Sequence, residues 1–425
     1  MKKILFNLAT VMFLTHYSTA QTFNGKLGYA ISPEGFPAIF DSLPTFLTEV
    51  SNTCNNGILL INGAWRDGLS TSGNIPTLQK TLLPLQPVPY NFVDLSVYGW
   101  ATYPTLYLDN PTNPTNNWAN PLTRDAFLQM LIRTADSLSP TYMMIGNEVN
   151  FYWEQDSVDY SNWSSFYSMA YDSIKAHSPT TKVGTVFNYE HLSGQGVLNG
   201  WNTPYWSALS SMDTSKMDVI SITLYPYFNY TTANAIPSTY LDGLFNRIGN
   251  IPVVFSETGW PADNFGLPWT SSPTQQVDYI NKLFPMLTGR NVEAVNWLFL
   301  NYYMANNNFA FKSVSMRDSL GNDYPALPFW LSHCSTTSVN ESINESEQVQ
   351  IFPNPVVNKF TLQIKNLQGK HYSLEILDLF GREVQQIEII SHTTEITIKN
   401  LQSGVYLYRL KNDFQNINTG KLIIQ

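Results

Sequence analysis

The stretch RDAFLQMLIRTADSLSPTYMMIGNEVN, residues 124–150, contains one full unit of a repeating pattern. Its first part sets Phe127, Leu128, Leu131, Ile132, Ala135 and Leu138 at helical spacing, so 124–138 reads as an amphipathic helix. The apolar run YMMIG (142–146) that follows reads as a strand, and Asn147-Glu148 comes directly after it. A helix leading into such a strand is the repeat of a parallel sheet with crossover helices.

Working outward, strand-like runs recur at LGYAI (27–31), GILLI (57–61), FVDLSVY (92–98), KVGTVF (182–187), DVISITLY (218–225), PVVFSE (252–257) and AVNWLFL (294–300). Helical patterns lie between them: NWSSFYSMAYDSIKAH ends before Pro179, and SPTQQVDYINKLFPML offers Ser272 as an N-cap with Pro273 at the first helical position. With YMMIG these runs make eight strands interleaved with helices, which predicts an α/β fold of the (β/α)8 TIM-barrel type over residues 21–334. An open doubly wound sheet is the rival, but no glycine-rich phosphate loop follows the first strand.

In a (β/α)8 barrel the carboxyl ends of the strands form the active face. Glu148 after the fourth strand and Glu257 at the end of the seventh would therefore face one another across its mouth. Two such carboxyl groups suit glycosidic bond cleavage, in which one protonates the leaving oxygen and the other attacks the sugar. Asn147 is placed to bond a sugar hydroxyl, Tyr225 to donate to Glu257, and Arg66, in NGAWRDG, to keep Glu257 charged. Trp297, Trp260, Trp153 and Trp100 are candidate platforms for sugar rings. Glu190, in FNYEH, is a further carboxylate expected to bind substrate hydroxyls if it faces the cleft.

Composition narrows the setting. Residues 1–20 open with two lysines, continue through an apolar stretch and reach Ser18 and Ala20, as a cleavable signal peptide does. No later run approaches the ~20 apolar residues of a spanning helix. The formal charge of −9 becomes −11 once Lys2 and Lys3 are removed (−9 − 2), which disfavours nucleic acid as a partner. Aromatic content of 14% with only 13% charged residues fits a large packed enzyme and not a disordered chain. The two cysteines, Cys54 and Cys334, are compatible with one bridge or with two buried thiols. Histidines show no metal-binding spacing, so neither a metal nor a cofactor is expected.

Residues 335–349, STTSVNESINESEQV, read as a polar linker. From 350 to 425 short alternating runs such as FTLQI, YSLEILDL and VYLYRL, separated by turn signals, predict a small all-β sandwich.

IFPNP (351–355), LEILDLFGREV (374–384), LQSGVYLYRL (401–410) and the terminal GKLIIQ closely resemble the C-terminal sorting domain of the type IX secretion system. That resemblance implies passage through the periplasm and outer membrane, with the outer-membrane secretion machinery as partner. IGNEV and SETGWP make the main domain similar to the retaining (β/α)8 glycoside hydrolase clan, in which the Asn-Glu pair holds the acid/base and the later glutamate is the nucleophile. Those stretches look most like endo-1,3-β-glucanases, while DVISITLYPYF with NIPVVFSETGWP is also similar to endo-β-1,4-galactanases. SVYGWATYP lacks the galactanase aspartate-tryptophan motif, and AVNWLFLNYY departs from the last strand of both families. The resemblance implies a secreted retaining hydrolase of a β-linked polysaccharide, endo-acting, with Glu148 as acid/base and Glu257 as nucleophile. A surface glycan-binding barrel without turnover and a transglycosylase are the alternatives.

Overall fold

The computed structural model describes residues 23–54, 57–64, 90–102, 105–108, 117–264, 266, 268–269, 271–304, 309–334, 349–364, 372–378, 383–399, 401–412 and 416–424. The signal peptide, Arg66 and nearly all of the linker lie outside them. The chain divides into two units, Met1–Thr336 and Thr337–Gln425.

In the first unit the strands are β1 (Lys26–Ala30), β2 (Ile58–Ala64), β3 (Tyr90–Ser96), β4 (Tyr142–Ile145), β5 (Lys182–Gly184 and Val186–Asn188), β6 (Ile220–Leu224), β7 (Val253–Thr258) and β8 (Val292–Trp297). Every neighbouring pair is parallel, and β1 pairs with β8. The first half of β5 pairs with β4 and the second with β6, with only Thr185 between them, so the sheet closes into an eight-stranded barrel. Each of the eight expected runs is a strand of it.

The strands are buried on both faces, which is why they read as apolar runs rather than as alternating ones. Around them lie α1 (Leu43–Asn52), α2 (Pro121–Leu138), α3 (Asn150–Gln155), α4 (Ser157–His177), α5 (Asp242–Ile248), α6 (Pro273–Leu287) and α7 (Ala326–Leu331). Helix α2 starts three residues earlier than its apolar spacing suggests, because Asn120 caps it by accepting from the Leu122 amide at 2.9 Å and Pro121 takes the first position. At α6 Pro273 also opens the helix, but the Ser272 side chain makes no capping bond. A disulfide joins Cys54, just after α1, to Cys334, just after α7.

The second unit is all β, with antiparallel sheets of Val349–Phe352, Lys359–Ile364 and Thr393–Thr397, and of Tyr372–Leu377, Glu383–Ile389, Gly404–Asn412 and Asn416–Ile424. Phe360, Leu362, Leu374, Ile376, Leu410 and Leu422 belong to its own apolar core. No helix among the described residues is long and apolar enough to cross a membrane.

Candidate active site

The turn after β4 sets the first carboxyl group. Gly146 has φ +88° and Glu148 φ +50°. A side chain at Gly146 would meet Val149 Cγ1 at 2.7 Å, so glycine is needed there. The left-handed Glu148 costs about 1–3 kcal/mol, the kind of strain that persists where surrounding structure enforces it. Here the Thr185 hydroxyl donates to the Ile145 and Gly146 carbonyls at 2.7 and 3.2 Å, tying the turn to the break in β5.

So held, Glu148 accepts hydrogen bonds from the Thr223 hydroxyl (2.6 Å) and from Asn188 Nδ2 (3.0 Å), from the ends of β6 and β5. Both donors converge on Oε1. Glu257, on β7, is bonded differently: Tyr225 Oη donates to Oε2 at 2.8 Å, and Asn62 Nδ2 approaches Oε1 at 3.5 Å. An acid with both acceptor contacts on one oxygen keeps the other free for its proton, whereas a carboxylate can accept on both.

Enclosure by the barrel rim raises the pKa of both groups. Glu257 is pushed up to about 7, by desolvation first and by the charge of Glu148 second, against the pull of Tyr225 and Asn62. In Glu148 the bonds from Asn188 and Thr223 oppose the rise. The two groups interact, so their protons come off as those of a pair.

A chain of contacts supports Asn188 from behind. Its amide donates to Asn150 Oδ1 (2.9 Å), and Asn150 Nδ2 donates back to the Asn188 carbonyl (3.2 Å), which fixes the Asn150 amide orientation. Asn150 Nδ2 therefore donates to His191 Nδ1 (2.7 Å), and His191 Nε2–H faces Glu154 Oε2 (2.9 Å). Burial keeps His191 below its ordinary pKa, consistent with that neutral tautomer.

Glu190 is fully buried, so it does not meet substrate hydroxyls as expected. It accepts from the Tyr225 amide (3.0 Å) and the Tyr240 hydroxyl (3.0 Å), and desolvation pushes its pKa up to about 8. Trp297 and Trp260 are also buried: their indole N–H groups donate to the Val314 carbonyl (2.8 Å) and Ser271 Oγ (2.9 Å), and both rings pack on Tyr279. These two rings are core, not platforms. Trp153 is half-buried and packs edge-on against Tyr160. The Trp100 side chain lies outside the described structure, as does Arg66. Asn147 stands beside Glu148, and its buried Oδ1 has no partner among the described residues.

The sequence reading missed Thr223, Asn188, Asn62 and Asp94. All are polar residues on or at the end of an apolar strand, and that interruption was the available signal. Asp94, buried on β3 in register with Asn62, is held well above its ordinary pKa by desolvation and by the charges of Glu257 and Glu148. It is a third carboxyl group near the pair.

Residues 122–284 match glycosyl hydrolase family 53, and residues 350–425 match the secretion system C-terminal sorting domain. The middle of the barrel is thus similar to that hydrolase family. That family 53 match runs from the start of α2 into α6 and includes both Glu148 and Glu257. The sorting domain marks the chain for export to the cell surface or the extracellular space.

Similar solved structures include an exo-β-1,4-mannosidase from Opitutaceae bacterium strain TAV5 (TM-score 0.53, 11% identity, 74% of this chain and 61% of that one). Another is a GH5_18 protein from Bifidobacterium longum in complex with Manβ1-4GlcNAc (TM-score 0.52, 14% identity, 74% and 78%). At such identity they show the fold alone. An endo-acting ulvan lyase from Formosa agariphila is 32% identical over 89 residues, 21% of this chain; the chain spans only 17% of that protein's length.

Proposed function

We propose that the exported barrel is a retaining hydrolase of a β-linked polysaccharide, with Glu257 as nucleophile and Glu148 as acid/base. The observation that carries this reading is the unequal bonding of the two groups: both donors on one oxygen of Glu148, one donor on each oxygen of Glu257. Glu257 attacks the anomeric carbon as the Glu148 Oε2 proton passes to the departing oxygen. Glu148, now a carboxylate, takes a proton from water, whose oxygen displaces Glu257 and returns it as a carboxylate. Asn147 Oδ1, without a partner among the described residues, would accept from a sugar hydroxyl near the reacting carbon.

Family 53 is an endo-β-1,4-galactanase family, so galactan is the first polymer to test, beside laminarin, mixed-linkage glucan, mannan and xylan. The full chain should release reducing sugar from one of them in endo fashion. The first-formed product should carry the β-anomer, seen by NMR before mutarotation. Glu148→Gln and Glu257→Gln should each lose at least about a thousandfold in kcat. An α-anomer formed first, or turnover surviving in both variants, defeats the assignment.

A further inference from the structure

His191 is fully buried behind Asn188 and holds it in two ways. Asn188 caps the short helix Tyr189–Ser193: its Oδ1 accepts from the His191 amide at 3.0 Å, which turns its Nδ2 toward Glu148. The second hold runs through the ring, whose Nδ1 accepts from the Asn150 amide that grips the Asn188 backbone. We propose that His191 is a positioning residue for the acid/base: as the neutral tautomer with its proton on Nε2, it locks the Asn150 amide, and through it the Asn188 donor, onto Glu148. The proposal rests on the hydrolase reading for the role of Glu148, not for the arrangement itself.

The tautomer follows from the donors and acceptors around the ring. Asn150 and Glu154 lie one turn apart on α3, so both can reach the same imidazole. Glu154 Oε2 needs a proton from Nε2, and Asn150 Nδ2 needs a lone pair on Nδ1. The Tyr205 hydroxyl donates to the other oxygen of Glu154 and so holds that carboxylate in place.

The ring itself is wedged. Phe151 packs on it at 4.1 Å, Tyr205 stacks on it at 4.6 Å and 11°, and Trp201 meets it edge-on at 5.7 Å. Turning the ring over would set carbon against both Asn150 and Glu154. Burial outweighs the pull of Glu154, the charged group that meets the ring, and favours the neutral form.

No other protonation state fits the Asn188 contacts. A proton on Nδ1, in the other tautomer or in the imidazolium, would meet Asn150 Nδ2 donor against donor. Turning the Asn150 amide over to present Oδ1 would oppose oxygen to the Asn188 carbonyl and N–H to the Asn188 amide. Asn150 therefore serves His191 and Asn188 together in one state alone, with Nδ1 bare.

The test uses the full chain. Nitrogen NMR of labelled histidine at pH 7 should show Nδ1 bare and Nε2 protonated for His191; a protonated Nδ1 in the folded, unaltered chain overturns the proposal. His191→Phe keeps the stacked ring but removes the acceptor, so the Glu148 carboxyl, followed by carbon NMR, should titrate at higher pH as the Asn188 bond weakens. With aryl β-glycosides of the sugar the unaltered chain releases, kcat/KM of His191→Phe should fall about tenfold where the leaving group needs an acid, and less than about twofold where it does not. His191→Asn, which sets an amide oxygen where Nδ1 stands, should recover most of that loss. An unmoved Glu148 titration, an equal loss for every leaving group, or no recovery in His191→Asn would make His191 ordinary core. Failure of the hydrolase reading looks different: the unaltered chain cleaves nothing, while the ring state and the Glu148 titration still come out as expected.

Discussion

Tyr225 donates its hydroxyl to Glu257 Oε2 at 2.8 Å, while its amide donates to Glu190 at 3.0 Å. The ring is therefore anchored at its backbone and aimed at the nucleophile. Removing the hydroxyl in Tyr225→Phe takes away a bond that favours the charged form of Glu257, so its pKa rises further above its present value of about 7. A hydrogen bond to a charged group contributes about 1.5–3 kcal/mol, so kcat/KM should fall roughly 10- to 100-fold. Its acidic limb should move to higher pH. A pH profile of Tyr225→Phe checks both, and an unmoved limb would show that the bond does not tune Glu257.

The charge on Glu148 is the second cause of the raised Glu257 pKa. That charge is present only once Glu148 has lost its proton, which in the acid/base assignment happens above the pH at which Glu257 ionises. With an aryl glycoside whose leaving group needs no acid, Glu148→Gln should retain glycosyl transfer to Glu257, and its acidic limb should stay where it is in the unaltered protein. Stopped-flow release of the aryl group across pH 4–9 reads it. A limb that moves to lower pH would mean that Glu148 ionises before Glu257, against its role as the acid.

Asn150 touches neither carboxyl group, yet it holds both the amide and the carbonyl of Asn188. Asn150→Ala should let Asn188 drift from Glu148 and lower kcat about tenfold with little change in KM, a loss of about 1–1.5 kcal/mol. Since the Asn188 bond lowers the Glu148 pKa, losing it should shift the basic limb to higher pH. A uniform fall in activity with no shift in either limb would mark Asn150 as merely structural.

Glu190 links pH to stability. Its folded pKa, about 8, is above the ordinary value of 4.5, so folding binds a proton between those values. Its contribution to stability is full below pH 4.5 and is lost as pH rises toward and through 8. Melting temperature should accordingly fall across this window, and fall less steeply in Glu190→Gln. Glu257 adds a fall of its own up to about pH 7, so the comparison is between slopes, by scanning calorimetry at pH 5 and pH 9. Parallel curves would place the proton elsewhere.

Much of this site is legible in the sequence. Apolar runs buried on both faces mark the barrel strands, and Glu148, Glu257 and Tyr225 each stand at the polar end of one. What could not be read is pairing across strands. Thr223 and Asn188 meet at one oxygen of Glu148 only because closure of the barrel fixes the register of β5 and β6, with Asn188 opposite Thr223. Aromatic residues misled for a related reason. Trp297 at a strand end and Tyr303 six residues later look alike in sequence, yet the first fills the core and the second lines a cavity beside Glu257. Glu190 reads as a cleft carboxylate because it follows the fifth strand, but Tyr240 and the Tyr225 backbone enclose it.

The bridge between Cys54 and Cys334 lies immediately before the residues read as a linker. Beside it the Phe23 amide donates to the His333 carbonyl at 3.0 Å, so the barrel's opening strand region, its first helix and its last turn are pinned at one point. A protease cutting anywhere beyond Cys334 leaves that knot tied. Loss of the C-terminal unit would thus leave the barrel with both ends still fastened.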